Sequence, residues 1–105
     1  MAANGAGRKV DVKKARTVEE VRRALGNGVG VGEVGASYNE SFTDAMAMVV
    51  AEMCPNLTTL DLFSCSNITD AAVVAVAGGC PNLTTLNLFS CSNITDAAVV
   101  AVAGG

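Results

Sequence analysis

The sequence predicts an α/β solenoid, with short parallel strands on one side, helices on the other and a cap at the N-terminal end. Three observations predict it. Residues 80–105, CPNLTTLNLFSCSNITDAAVVAVAGG, repeat residues 54–79 with one difference, Asn87 against Asp61. Self-similarity at a fixed period of this length marks a stacked array. Within a copy, Thr59-Leu60-Asp61-Leu62-Phe63 alternates, which sends Leu60 and Leu62 to one face of a strand and Thr59, Asp61 and Phe63 to the other. Val73, Val76 and Ala77 then recur at helical spacing and form the stripe that covers the strand.

The elements follow in chain order. Residues 1–7, MAANGAG, are small and polar and are expected to be disordered. Val10 and Val12 alternate within Lys9–Val12, which predicts a short strand. Thr17-Val-Glu-Glu20 has capping-box spacing and opens a helix with Val18, Val21 and Leu25 on one stripe. Glu19 and Glu20 precede Arg22 and Arg23 by three or four residues, a favourable pairing, and Gly26-Asn27-Gly28 ends the helix. One strand and one polar-faced helix make an N-terminal cap over residues 1–27, as terminal repeats of a solenoid require.

Residues 28–53 reveal a degenerate repeat when moved by 26 positions. Val31, Val34 and Ala36 fall on Leu57, Leu60 and Leu62, Asn39 falls on Cys65, and Phe42-Thr43-Asp44-Ala45 on Ile68-Thr69-Asp70-Ala71. Ala47, Val50 and Ala51 take the inward places of Val73, Val76 and Ala77. The cap extends the series in outline, Thr17 falling on Thr43 and Val10 on Ala36. In the full repeats 54–79 and 80–105, Leu57 and Ile68 bracket the strand and close the core. Thr69-Asp70 starts the helix with an N-cap hydroxyl and a carboxylate at the positive dipole end, and Gly78-Gly79 is expected to stop it.

The motif Cys-x-x-Leu-x-x-Leu-x-Leu-x-x-Cys-x-x-Ile-Thr-Asp, complete in both copies, resembles the cysteine-containing subclass of leucine-rich repeats, best known from F-box-type ubiquitin-ligase adaptors. The F-box segment itself is not among these residues. The resemblance implies a concave parallel sheet, a convex helical side, and Cys65 and Cys91 packed in the turn after each strand. Asn or Cys fills that slot in the family, which fits Asn39. It also implies that exposed strand positions contact partners.

Composition bounds the rest. A chain of 105 residues is one domain, and with 50% apolar but 4% aromatic residues its core must be aliphatic. No apolar run approaches the roughly 18 residues that span a bilayer, and the start has no hydrophobic stretch behind its charges. A cytoplasmic protein with no membrane partner is the expectation. The net charge of −3 is segregated: Arg8, Lys9, Lys13, Lys14, Arg16, Arg22 and Arg23 are all the basic residues, and from Gly28 onward only carboxylates occur. Diluted by Asp11, Glu19 and Glu20, this basic cluster reads as a solvated end cap rather than a nucleic-acid site.

Other motifs lose their usual meaning in context. The cysteines are spaced by 11, 15 and 11 residues without a C-x-x-C or a histidine, which reads as buried reduced thiols, no disulfide and no metal. Gly30-Val-Gly-Glu-Val-Gly35 has G-x-G-x-x-G spacing but follows a helix and precedes no helix start, so no dinucleotide cofactor is expected. The sequons at Asn39, Asn56, Asn67, Asn82 and Asn93 are expected to be silent. No histidine, paired carboxylate or activated nucleophile assembles a catalytic set, so no enzyme is expected.

Two surfaces remain. The exposed strand row Ser37, Thr59, Asp61, Phe63, Thr85, Asn87 and Phe89, with Glu33 and Gly35 beside it, puts two phenylalanines one repeat apart among polar groups, as a protein-binding patch would. The last repeat leaves Leu83, Thr85, Leu86, Asn87, Leu88, Phe89, Val99 and Val102 at an uncovered cross-section and an unpaired strand edge, with Ile94 beside them. This predicts a scaffold that self-associates, a two-fold tail-to-tail homodimer being favoured over head-to-tail stacking. The alternative is an adaptor that holds another protein on the concave face. Copies identical at 25 of 26 positions, ending at a repeat boundary, further suggest an engineered, consensus-type or truncated array.

Overall fold

The computed structural model describes residues 7–98 and residue 100. Strands and helices alternate as β1 (Arg8–Asp11), α1 (Val18–Leu25), β2 (Val31–Gly35), α2 (Asp44–Met53), β3 (Thr59–Asp61), α3 (Asp70–Gly79) and β4 (Thr85–Asn87). Helical backbone resumes at 96–98 and 100. The four strands form one parallel sheet in the order β1-β2-β3-β4. Its neighbours are therefore consecutive in sequence, and each crossover helix packs beside the next.

Register follows the repeat. Leu60 pairs with Leu86 and Asp61 with Asn87, while Val34 pairs with Leu60 and Gly35 with Asp61. A shift of 26 residues per rung brings each position against its own copy. Val31, Val34, Ala36, Leu57, Leu60, Leu62, Phe42 and Ile68 are all buried, joined from the helices by Ala47, Val50, Val73 and Val76. Each large apolar side chain withdrawn in this way contributes roughly 1.5–3 kcal/mol.

The first rung departs from the expected spacing. Val10 pairs with Val34, a shift of 24, so Val12 rather than Val10 takes the place of Ala36. Val12 N donates to Gly35 O at 2.8 Å, as Ala36 N does to Asp61 O and Leu62 N to Asn87 O. The helix caps Thr17, Thr43 and Thr69 nevertheless keep the spacing of 26. The turn between β1 and α1 is two residues shorter than its counterparts and absorbs the difference. Thr17 Oγ1 accepts from Glu20 N, but the Glu20 carboxylate accepts from Arg16 N instead of closing back on Thr17. Gly26, at φ 65°, ends α1 with its N–H on Arg22 O.

One glycine expectation is revised. Helix α3 continues through Gly78 and Gly79 and is capped at Cys80, whose N–H reaches Val76 O. In the glycine run at 30–35, Gly30 precedes β2 and Val31–Gly35 form it, paired with β3 at the expected shift of 26. Gly32 is there for contact: a Cβ would stand 2.3 Å from Gly7 Cα. The residues before Gly7, and Val99 and Val102 with their expected exposure, lie outside the described residues.

Side chains tie neighbouring rungs together. Asn39 Nδ2 donates to Val12 O and Ala15 O, both at 2.9 Å; Cys65 Sγ donates to Ala36 O at 3.0 Å and Cys91 Sγ to Leu62 O at 2.9 Å. On the helix side, Asp44 accepts from the N–H and hydroxyl of Thr69, and Asp70 accepts from those of Thr95. Thr58 Oγ1 donates to Gly32 O, and Thr84 Oγ1 to Thr58 O.

Asn39, only 5% exposed, is the one polar residue in the core of the described residues. Asn39→Leu is expected to destabilise by about 1–3 kcal/mol, because Ala15 O loses its side-chain donor and Val12 O keeps only Ala15 N. Asn39→Cys, which restores the residue of the later copies and one donor, is expected to cost less. Urea denaturation of the three proteins measures the order.

Candidate protein-binding face

The face opposite the core is set by strand alternation. Thr59 and Asp61 flank buried Leu60 and are half-buried, and in β4 Thr85 and Asn87 are exposed. Gly35 in β2 is buried and Glu33 is half-buried, its carboxylate 3.6 Å from Lys9 Nζ. Ser37 is half-buried in the turn after β2. Glu33, Thr59 and Thr85 therefore stand in one row across the sheet, and Gly35, Asp61 and Asn87 in the next.

Beyond the strand ends, the turns stay in register. Tyr38 N donates to Phe63 O at 2.7 Å and Ser64 N to Phe89 O at 2.9 Å. Each turn also holds one non-glycine residue in the left-handed region: Tyr38 at φ 64°, Ser64 at 58° and Ser90 at 65°. Asp61 Oδ1 accepts from Phe63 N and Asn87 Oδ1 from Phe89 N, both at 3.0 Å. These short bridges aim the rings. Phe63 and Phe89 stack with centroids 5.5 Å apart and planes 5° from parallel, and Tyr38 meets Phe63 edge-on at 5.0 Å. Tyr38 is 69% exposed and Phe89 70%.

Tyr38 was not legible as part of this row. At a shift of 26 it matches Ser64, not Phe63, and only its left-handed backbone swings the ring onto its neighbour. Next to Tyr38 opens a cleft of about 470 Å³ lined by Lys13, Lys14, Arg16, Asn39, Glu40 and Ser41.

The single difference between the copies is also explained here. Asp61 faces Asn87 on the adjacent rung. A second aspartate would set carboxylate beside carboxylate, whereas asparagine keeps the Oδ1 acceptor without the charge. Asn87→Asp is expected to leave the fold intact and cost about 0.2–1 kcal/mol, a penalty that shrinks in high salt. Thermal melts at two salt concentrations check it.

At the last repeat, Leu83, Leu86, Leu88 and Ile94 are only partly buried, although their counterparts Leu57, Leu60, Leu62 and Ile68 are at most 1% exposed. Thr85, Asn87 and Phe89 are exposed, and among the described residues β4 pairs on one side only.

The cysteines are chemically quiet. All four are free and buried. Burial pushes the Cys54 thiol up to about 11, with Cys80 adding and Arg8 opposing, and burial likewise takes Cys65 to about 11; Cys80 and Cys91 are raised for the same reason. Among the described residues no three His, Cys, Asp or Glu side chains are grouped to hold a metal. The hydroxyl and N–H of Thr95 hold the Asp70 carboxyl below its ordinary range.

Since the unfolded chain releases its thiol protons near pH 9 and the folded chain keeps those of Cys54 and Cys65 to about 11, stability is fully present below pH 9 and falls as pH rises toward 11. Melting temperatures across that window are expected to drop, and the drop to lessen in Cys54→Ala/Cys65→Ala. A thiol reagent at neutral pH is expected to label the cysteines only in denaturant.

A stacked parallel sheet with helices behind it, each rung a copy of the last, defines a short α/β repeat solenoid with one exposed strand face. Residues 55–101 match the family model for leucine-rich repeats in two copies. No curated protein matches the chain. Leucine-rich repeats are as a rule non-catalytic protein-binding units. No helix among the described residues is long and apolar enough to cross a membrane.

Proposed function

We propose that the chain is a non-catalytic interaction scaffold that holds a protein partner on the strand-side face. The observation that carries this reading is the row Tyr38–Phe63–Phe89, in which each ring touches the next and the two outer ones are largely exposed. Exposed aromatic anchors amid polar groups are what binding hot spots are made of. Ser37, Thr59, Asp61, Thr85 and Asn87 supply the polar surround. The thiol-to-carbonyl bonds of Cys65 and Cys91 support membership in the cysteine-containing subclass, and the adaptor role follows from that likeness. Four reduced, unpaired thiols fit the cytoplasm.

A second reading is favoured by the partial exposure of the last repeat. The columns sealed between earlier rungs are only partly covered at Leu83, Leu86 and Leu88, and among the described residues β4 pairs on one side only. The 105-residue chain covers this surface with a second copy, tail to tail about a two-fold axis. The proposed units are a cap over 1–27, a degenerate repeat over 28–53 and full repeats over 54–79 and 80–105. The near-identity of the last two supports a consensus-type origin.

Two measurements separate the readings. Sedimentation equilibrium of the intact chain is expected to show a dimer that Leu86→Lys converts to monomer; a monomer at high micromolar concentration sinks the second reading. Tyr38→Ala/Phe63→Ala, away from the open end, is expected to leave the dimer intact and to abolish capture of peptides from a random-peptide display library. Unchanged capture would overturn the first.

A further inference from the structure

The aromatic row has a charged end. The four strand-to-helix turns lie side by side because the four strands do, and they carry in order Lys13 and Lys14, Tyr38, Phe63, and Phe89. The cleft of about 470 Å³ beside Tyr38 joins the first turn to the second. Its cations are Lys13, Lys14 and Arg16, all exposed. Lys13 Nζ lies 3.7 Å from Asp11, while Lys14 and Arg16 make no ion pair among the described residues. Glu40 is the one carboxylate in the lining, so the cleft is net positive.

The rest of the chain heightens the contrast. No cation follows Arg23, and the strand-side face carries Glu33 and Asp61. Lys9 is engaged with Glu33, Arg8 reaches Leu25 O, and Arg22 and Arg23 sit on α1. An anionic side chain laid along the aromatic row is repelled at Asp61 and accepted at the cleft.

The cleft is also built in advance. Buried Asn39 donates to Val12 O and Ala15 O, the two carbonyls that bracket Lys13 and Lys14, while Asp11 Oδ1 accepts from Lys13 N at 2.8 Å. The backbone of the basic turn is thereby held before any ligand arrives, which lowers the ordering cost of binding. From the cleft the rings step away at 5.0 and 5.5 Å. That is the span of about three extended residues at ~3.3 Å each.

We propose that this surface recognises an acidic peptide segment with an aromatic side chain: the ring packs on Phe63 and Phe89, and carboxylates about three residues away enter the cleft at Lys14 and Arg16. The proposal rests on the strand-side face being the binding face, and it adds the partner's chemistry and orientation. Stacked rings beside cations also suit single-stranded nucleic acid. The carboxylates along the row disfavour a continuous phosphate backbone, so that ligand is an outcome of the test.

The probe is a fluorescein-labelled peptide with one Trp separated by two glycines from three Glu, made in both orders, and titrated by anisotropy into the full chain. At least one order is expected to bind in the micromolar range and to weaken as salt rises. A counterpart with Lys for Glu is expected not to bind. Lys14→Glu/Arg16→Glu, at exposed positions, is expected to weaken the acidic peptide about tenfold and to let the Lys peptide bind. Phe89→Ala is expected to weaken both pairings. The inference alone fails if Phe89→Ala abolishes binding but charge reversal on either side changes nothing. The binding-face reading fails with it if a peptide binds and neither ring matters. Absence of binding to 1 mM peptide overturns the inference, as does a preference for an oligothymidylate over the acidic peptide.

Discussion

A parallel strand that leaves the sheet at a turn carries its last carbonyls into the core, and here a side chain of the next rung adds a donor to them: to Val12 O, Ala36 O and Leu62 O beside the backbone N–H of their own turn, and to Ala15 O. Asn39 serves Val12 and Ala15, Cys65 serves Ala36, and Cys91 serves Leu62. Each such bond ties one turn to the next, and losing it costs of the order of one hydrogen bond, so the turns cannot drift without penalty. Threonines and aspartates repeat the device at the strand entrance and at the helix caps. The solenoid is consequently specified rung by rung, and an aliphatic core with little shape of its own is sufficient to fill it.

The same device shapes the surface. With the turns held in register, the residue two places past the strand stacks on its copy one rung away. Asp61 and Asn87 accept from the N–H of Phe63 and Phe89, and the two rings come to lie parallel. Stability and recognition therefore draw on one geometry, the inner side chains sealing carbonyls and the outer ones presenting rings. The basic turn enters this arrangement through Asn39, a core residue whose bonds fix the loop that carries Lys13 and Lys14.

Identical sequence does not bring identical environment. Leu60 and Leu86 occupy the same place in the same motif, yet one is sealed and the other partly open. Burial in a solenoid belongs to the interface between rungs and not to the rung. The thiols illustrate the point in chemical terms, since enclosure, rather than sequence context, carries Cys54 and Cys65 up to about 11.

Residue pattern by itself determined the period, the strand alternation and the pairing of Leu60 with Leu86, because a constant shift necessarily lays each residue on its own copy. The exposed row from Thr59 to Phe89 was legible for the same reason. Tertiary structure alone decided what does not repeat. The first pairing slips to 24 because the β1–α1 turn is short, and Val12 rather than Val10 takes the inner place. Met46, Ala72 and Ala98 are buried although they lie outside the stripe that each helix's own periodicity marks as inward. Tyr38 joins the phenylalanines only through its left-handed backbone, and Gly32 matters only because Gly7 lies against it. Periodicity reports which side of its own element a residue takes; distances between different elements arise only when the rungs close on one another.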